Sequence, residues 1–329
     1  MNEKEIINLA NKYFSKNKSN KNILIKGIGD DTAVLENEKQ GFQLFTSDML
    51  VEETHFLLDK ISPYNLGWKS LAVNISDIAS MGGTPTYATL SLAITNNKKI
   101  TNRWLNGFYM GMSDCATKYK MNIVGGDTVS SKKSLIINIA LLGNTIRPIY
   151  RNNSKDDYII TTTGNLGLSG AGLSILLKED NLNISKSENY CLNKHFLPIP
   201  KIEQGLFFNK RVENLSMIDC SDGLYVSLKT LSESVNLGID IYPENLVIEN
   251  ELEQVSKILK KAPLDFILYG GEDYELIVSL PEEDFKAIQI DYFDKFNYRL
   301  PIIGRFTYRH NQIKLKGQII DDQSFQHFK

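Results

Sequence analysis

The chain has 329 residues, 42% hydrophobic and 23% charged, enough apolar material for two ordinary globular domains. Its 37 basic side chains nearly balance 39 acidic ones, a formal net charge of −2, which removes the electrostatic case for a nucleic-acid or membrane surface. No run of roughly 18 apolar residues exists for a membrane span, and the first residues lack the apolar core of a signal peptide. Cys115, Cys191 and Cys220 form no C-x-x-C pair, and His55, His195, His310 and His327 show no metal-ligand spacing. This usage suits a reducing cytoplasm with the thiols as small core residues.

In chain order, residues 3–16 have the stripe of an amphipathic helix, with Ile6, Ile7, Leu9, Ala10, Tyr13 and Phe14 on one face. Residues 41–56 predict a strand that delivers polar residues at its end. Residues 65–83 have helical period and stop at a glycine pair. Residues 86–94 predict a strand, 101–120 a helix, 122–130 a strand running into a glycine turn, and 134–146 a strongly apolar strand. A polar connector at 151–157 follows, and 158–178 opens a new strand, glycine loop and helix. The polar stretch 179–190 predicts a loop, 217–235 a strand and helix, 266–280 a strand, turn and strand, and 301–329 short strands with a tail. Helices and strands alternate throughout, so the expected class is α/β or layered α+β. The domain boundary is expected near residue 148, giving domains 1–148 and 149–329.

"KGIGDDTAVL" (26–35) puts two adjacent aspartates, Asp30 and Asp31, between a glycine turn and an apolar run, with no arginine beside them. The pattern recurs: Asp48 in "LFTSDML", Asp77 in "NISDIASMGG", Asp127 in "IVGGDTV", Asp219 and Asp222 in "MIDCSDGL", Glu272 and Asp273 in "YGGEDYEL". Any one of these alone reads as a turn former or helix cap. Brought together in space they would repel one another unless cations lay between them. Carboxylates with Ser and Thr hydroxyls suit Mg²⁺, which enzymes commonly hold by a few carboxylates and substrate phosphates. No Walker loop and no kinase glycine-rich loop is present. "GNLGLSGAG" (164–172) opens a helix and either holds an anion on its amides or serves close strand–helix packing. Trp68 and Trp104 read as packing aromatics. Arg147 and Arg151 are either phosphate contacts or ordinary surface arginines, and His55 either a substrate contact or a strand cap.

Taken in order, "GIGDDTAV", "TSDMLVEETHF", "WKSLAVNISDIASMGGTP", "VGGDTV", "IDCSDGL" and "GGEDYEL" resemble the motifs of the bacterial thiamine-monophosphate kinase family. That family lies within the aminoimidazole ribonucleotide synthetase-like superfamily. The resemblance spans roughly residues 25–280, with an echo in the final "FQHF". Two other branches fit less well. Selenophosphate synthetase has a reactive Cys or selenocysteine near its start, where this chain has no Cys before residue 115. The hydrogenase maturation factor ends in Cys, where this chain ends in "QHFK".

The resemblance implies a two-domain fold in which the N-terminal sheets of two subunits pair into a barrel, making a homodimer. It implies direct, in-line transfer of a phosphoryl group from ATP to thiamine monophosphate, with several Mg²⁺ ions. Carried over by position, Asp30, Thr46, Ser47, Asp48, Asp77, Asp127, Asp219 and Asp222 look like metal ligands. Tyr109, Gly126, Asp127, Arg151 and Ser221 look like nucleotide contacts. His55, Glu272 and Phe325 look like acceptor contacts, although "SFQHF" departs from the usual "GYDHF" around Phe325. No general base is assigned, because the attacking phosphate oxygen is already ionised at neutral pH. The alternatives are a superfamily synthetase acting on an amide-type substrate and a non-catalytic nucleotide- or thiamine-binding protein.

Overall fold

The computed structural model describes residues 5–8, 23–37, 41–95, 98–178 and 184–325. Residues 5–8 are helical, within the amphipathic segment expected at 3–16; the rest of that stripe, from Leu9 to Phe14, lies outside the described residues.

Six strands, β1 (Leu24–Lys26), β2 (Ala33–Asn37), β3 (Gly41–Val51), β4 (Thr84–Thr95), β5 (Asn122–Ser131) and β6 (Ile136–Thr145), form one sheet in the order β1-β2-β3-β6-β4-β5. Only β4 and β5 pair in parallel. Period-two alternation explains which face is covered: Ile137, Ile139 and Leu141 of β6, with Leu44 and Leu50 of β3, are buried on one side. Helices α1 (Pro63–Ser80) and α2 (Asn102–Lys118) cover that side. α1 starts where Ser62 accepts the Asn65 N–H (3.1 Å) and Pro63 takes the first helical position, where its missing N–H is harmless. The glycine pair expected to end β5 in a turn lies inside the strand instead. Its register shifts there, leaving Val124 unpaired as a bulge residue against β4.

The second sheet has seven strands, β7 (Ile159–Thr162), β8 (Ser216–Asp219), β9 (Gly238–Ile241), β10 (Leu276–Leu280), β11 (Gly304–Thr307), β12 (Ile313–Leu315) and β13 (Gln318–Ile319). Their order is β13-β12-β9-β11-β7-β10-β8. Every residue of β7, β8 and β10 is buried, because helices lie on both faces. Alternate side chains enter different cores. Ile159, Met217, Leu276 and Val278 pack with α5 (Ile202–Arg211), α9 (Glu282–Phe296) and the inner side of the first sheet. Ile160, Ile218 and Ile277 pack with α3 (Leu168–Leu176), α4 (Lys186–Phe196), α6 (Leu224–Val235), α7 (Asn250–Leu259) and α8 (Pro263–Tyr269). α1 is buried nearly all round because it lies between the two sheets.

Two further expectations are corrected. Residues 186–190, expected as loop, begin α4, which a capping box starts: Ser185 accepts the Glu188 N–H (3.2 Å) and Glu188 accepts the Ser185 N–H (2.9 Å). Residues 179–183 lie outside the described residues. "FILY" (266–269), expected as strand, belongs to α8, which Pro263 starts; the strand begins only at Leu276.

Candidate functional site

α1 assembles the acidic centre through its period. Residues at i, i+4 and i+7 share a face, so Ser70, Asn74 and Asp77 look toward β3. Asn74 Oδ1 accepts the Asp48 N–H (2.9 Å), and Thr46 Oγ1 donates to Asp77 Oδ2 (2.5 Å). Lys69 and Ser76, seven apart, share the neighbouring face toward the second sheet. Ser76 Oγ donates to Asp219 Oδ2 (2.7 Å) at the end of β8. Thr46 and Asp48 are two apart on β3 and share the inner face, whereas Ser47 is exposed on the outer one and accepts from Asn138 Nδ2 (3.1 Å).

The loop before β2 completes this centre. One carboxylate oxygen each from Asp31, Asp77 and Asp219 lies within 4.8 Å of the others. Asp31, rather than Asp30, joins this trio. Asp30 faces cations: Arg151 Nε is 3.6 Å from Oδ1 and Lys26 Nζ 3.8 Å from Oδ2. The Arg151 guanidinium also pairs with Asp31, so the arginine missing beside these aspartates in sequence arrives from 120 residues away. The exposed Asp222 follows in the 219–223 loop, and its charge reaches Asp48 and Asp219.

Burial pushes the Asp48 carboxyl up to about 6, with the charges of Asp219 and Asp222 adding to the effect. Burial also raises Asp219 to about 6, against a hydrogen bond from Ser76 and the charge of Arg151. Asp77 is pushed well above the usual range, first by burial and then by Asp48 and Asp219. The second oxygen of Asp31 is buried without a hydrogen-bond partner. Crowded carboxylates, hydroxyl neighbours and an orphaned oxygen make a donor set that fits a hard divalent cation such as Mg²⁺.

A cavity of about 650 Å³ opens between α2 and the β4–β5 edge, lined by Leu90, Leu92, Tyr109, Met112, Gly126 and Asp127. It therefore brings together three of the five residues expected at the nucleotide. Gly126 has φ +150, and a Cβ there would sit 1.7 Å from the Leu90 carbonyl oxygen, so glycine alone lets β5 approach β4 beside the cavity. Asp127 accepts the N–H of its own neighbour Thr128 (2.8 Å). Pairing runs from Asp127 to Ser91, Asn138 and Met49, so three strand spacings, about 14 Å along the sheet, separate β5 from β3. Asp127 thus stands with the cavity and apart from the Asp31–Asp77–Asp219 trio. Arg151 stands with the trio through Asp31, and Ser221 follows Asp219 by two residues.

His55 accepts the Val51 N–H on Nδ1 (3.0 Å), capping the end of β3, and its charge reaches Glu272. Glu272 lies at φ +66, with its N–H donated to the Ser221 carbonyl (2.5 Å). Its carboxylate receives Lys69 Nζ at 2.9 and 3.0 Å and lies 3.2 Å from His195 Nδ1. Burial would raise its pKa, yet Lys69, His195 and His55 together lower it. Burial, then the Lys69 charge, pushes His195 down to about 4, leaving it neutral. Phe325, the last described residue, is 66% exposed.

The glycine loop 164–172 has a partner of its own. Asp273 accepts the N–H groups of Gly167 (2.7 Å) and Ser169 (3.1 Å) at the start of α3, so this chain's own carboxylate takes those amides. Burial nevertheless raises Asp273 to about 7. Trp68 donates to the Pro198 carbonyl (2.8 Å), Trp104 stacks on Phe108, and Arg147 donates to the carbonyls of Asn209, Val212 and Glu213, all packing roles. Asn74, Ser76, Lys69 and His195 were missed from sequence. The available signal was a lysine at a buried phase of an apolar helix.

The family model for AIR synthase related protein, N-terminal domain, matches residues 29–145. The thiamine-monophosphate kinase of Buchnera aphidicola subsp. Schizaphis graminum is 35% identical over 331 residues, covering 99% of each chain. That of Bacillus subtilis is 33% identical over 315 residues, covering 92% of this chain and 93% of its own. The solved structure of AaThiL complexed with AMPPCP and TMP superposes with a TM-score of 0.87 at 29% identity, covering 99% of this chain and 97% of its own.

Proposed function

The chain belongs to the thiamine-monophosphate kinase family, and we propose that it moves the γ-phosphoryl group of ATP directly onto thiamine monophosphate in a Mg²⁺-dependent reaction. Its two-sheet α/β architecture is the aminoimidazole ribonucleotide synthetase-like one. The observation that carries the reading is the convergence of Asp31, Asp77 and Asp219 beneath Thr46 and Asp48. Bound there, the metal would neutralise polyphosphate charge. Several Mg²⁺ ions share the assigned ligands Asp30, Thr46, Ser47, Asp48, Asp77, Asp127, Asp219 and Asp222; Asp31 joins them by its place in the trio, and Asp127 would serve an ion on the cavity side.

Tyr109, Gly126 and Asp127 hold the nucleotide from the α2 cavity, and Arg151 and Ser221 meet its phosphates. His55, Glu272 and Phe325 hold the acceptor, whose thiazolium cation suits a carboxylate. The β–γ bridging P–O bond breaks with its electron pair left on ADP, while an acceptor phosphate oxygen forms the new P–O bond. That oxygen is already ionised, so positioning and charge neutralisation do the work and no base is required. Nucleotide and metal lie mainly with residues 1–148 and the acceptor toward 149–329.

A homodimer is part of this reading. Its support is the outer face of the first sheet, where Phe45 (43%), Met49 (52%) and Tyr87 (51%) are exposed as a patch larger side chains rarely leave open. Phosphorus NMR of ATP, Mg²⁺ and thiamine monophosphate with the protein tests the reaction. The expected product is thiamine diphosphate. ATP turnover that thiamine monophosphate does not stimulate, or equal use of free thiamine, would sink the assignment.

A further inference from the structure

Lys69 is a buried cation that the phosphoryl-transfer chemistry above leaves unused. Its side chain is 1% exposed, on a helix whose neighbouring residues Leu66, Ser70, Leu71 and Val73 are buried too. An ammonium in such a place is costly unless its donors are taken. All three are: Glu272 Oε1 at 2.9 Å, Glu272 Oε2 at 3.0 Å and His195 Nε2 at 3.4 Å.

The direction of these bonds is fixed by chemistry. Lys69 can only donate, so His195 Nε2 accepts and the ring proton sits on Nδ1. Nδ1 lies 3.2 Å from Glu272 Oε2 and 3.1 Å from Ser169 Oγ. Glu272 is thus gripped by donors from two directions, Lys69 from α1 and His195 from α4. Of the three side chains only Glu272 reaches solvent appreciably, at 23% against 1% and 4%. Its backbone, at φ +66, is a conformation that a residue with a Cβ adopts only when its surroundings impose it. The helix that supplies Lys69 also supplies Asn74 and Asp77 to the acidic centre.

We propose that Lys69 is the positioning residue of the acceptor subsite: it fixes the Glu272 carboxylate, the one side chain of the three that solvent reaches, so that one helix sets both the metal-binding aspartates and the group that recognises the acceptor cation. This rests on the reading of Glu272 as an acceptor contact. An ion pair that only stabilised the fold would leave substrate affinities untouched.

The test is steady-state kinetics of wild type, Lys69→Met, Lys69→Arg, Glu272→Gln and the double variant Lys69→Met/Glu272→Gln, with ATP and thiamine monophosphate varied in turn. Lys69→Met should raise the acceptor KM about tenfold or more while the ATP KM stays within about twofold. Lys69→Arg should recover part of that loss. The double variant should match Glu272→Gln, because Lys69 acts through Glu272. It also removes both charges, so it remains foldable should Lys69→Met alone not fold; an acceptor KM in the double variant well above that of Glu272→Gln would then overturn the proposal. So would a folded Lys69→Met with unchanged acceptor KM, or with both KM values raised alike. A Glu272→Gln variant with unchanged acceptor KM, or a wild type inactive on thiamine monophosphate, would overturn the underlying reading and this inference with it.

Discussion

The two sheets solve burial differently. β7, β8 and β10 are buried at every residue between helices on both faces; β8 ends at Asp219 and runs into the loop with Ser221 and Asp222, and the loop that enters β10 carries Glu272. The first sheet is covered on one side only, and its edge strand β5 is exposed from Asn122 to Ser130. A two-sided sheet makes a rigid frame whose strand ends aim loops. A one-sided sheet can place polar side chains such as Thr46 and Asp48 beside a helix and keep its other face for a partner. α1 touches both, so the acidic centre forms where a rigid frame meets an open sheet.

The sharpest way to break this comparison is at their junction. Asp77→Asn should lower turnover by about 10²–10³-fold or more, by removing one carboxylate from the charge-neutralising set. Without Mg²⁺ the same variant should melt no lower than wild type, because one of several crowded, buried carboxylates is gone. Near-normal turnover would remove Asp77 from the centre.

The sheets themselves give the next contrast. Ile277 is fully buried in β10, so Ile277→Ala should cost about 2–5 kcal/mol in urea unfolding. Met49 is 52% exposed on the outer face of β3, so Met49→Asp should change monomer stability by about 0.5 kcal/mol or less. Its effect should appear in light scattering, as a smaller particle at a given concentration. An unchanged particle size would detach that face from self-association.

Legibility in the sequence followed the same divide. The strands around β6 and the helix α1 were readable because each keeps one period over ten residues or more. "FILY" in α8 was not: a seven-residue helix whose buried residues Phe266, Ile267 and Leu268 are consecutive shows no stripe, and its β-branched and aromatic residues read as strand. The start of α4 carried a readable signal, Ser185 and Glu188 three apart, but its polar composition hid it. The aspartates were legible one by one, because polar residues at the edges of apolar runs stand out. Their partners were not. Arg151 meets Asp30 and Asp31 only in the fold, and Lys69 has its acceptors on α4 and the 270–275 loop.

The pH dependence of the junction turns on the buried group that ties α4 to it. His195 is held down to about 4 by burial and by the Lys69 ammonium, with Glu272 pulling the other way. The unfolded chain protonates this ring near 6.5, so between about pH 4 and 6.5 it binds more protons than the native state. Stability from this group therefore rises with pH across that window and is lost on acidification, by up to roughly 3 kcal/mol. Asp48 and Asp219, raised to about 6, and Asp273, raised to about 7, act oppositely: the native state binds the extra protons, and stability falls as pH rises. Glu272, lowered by Lys69 and His195, contributes stability above its ordinary range that is lost at still lower pH. The wild-type curve mixes these slopes, so the informative quantity is the difference from His195→Gln in urea unfolding at matched pH. The stability of wild type minus that of the variant should grow from about pH 4 to about 6.5 and then level off. Parallel curves would mean that the ring titrates alike folded and unfolded, and that Lys69 does not hold it neutral.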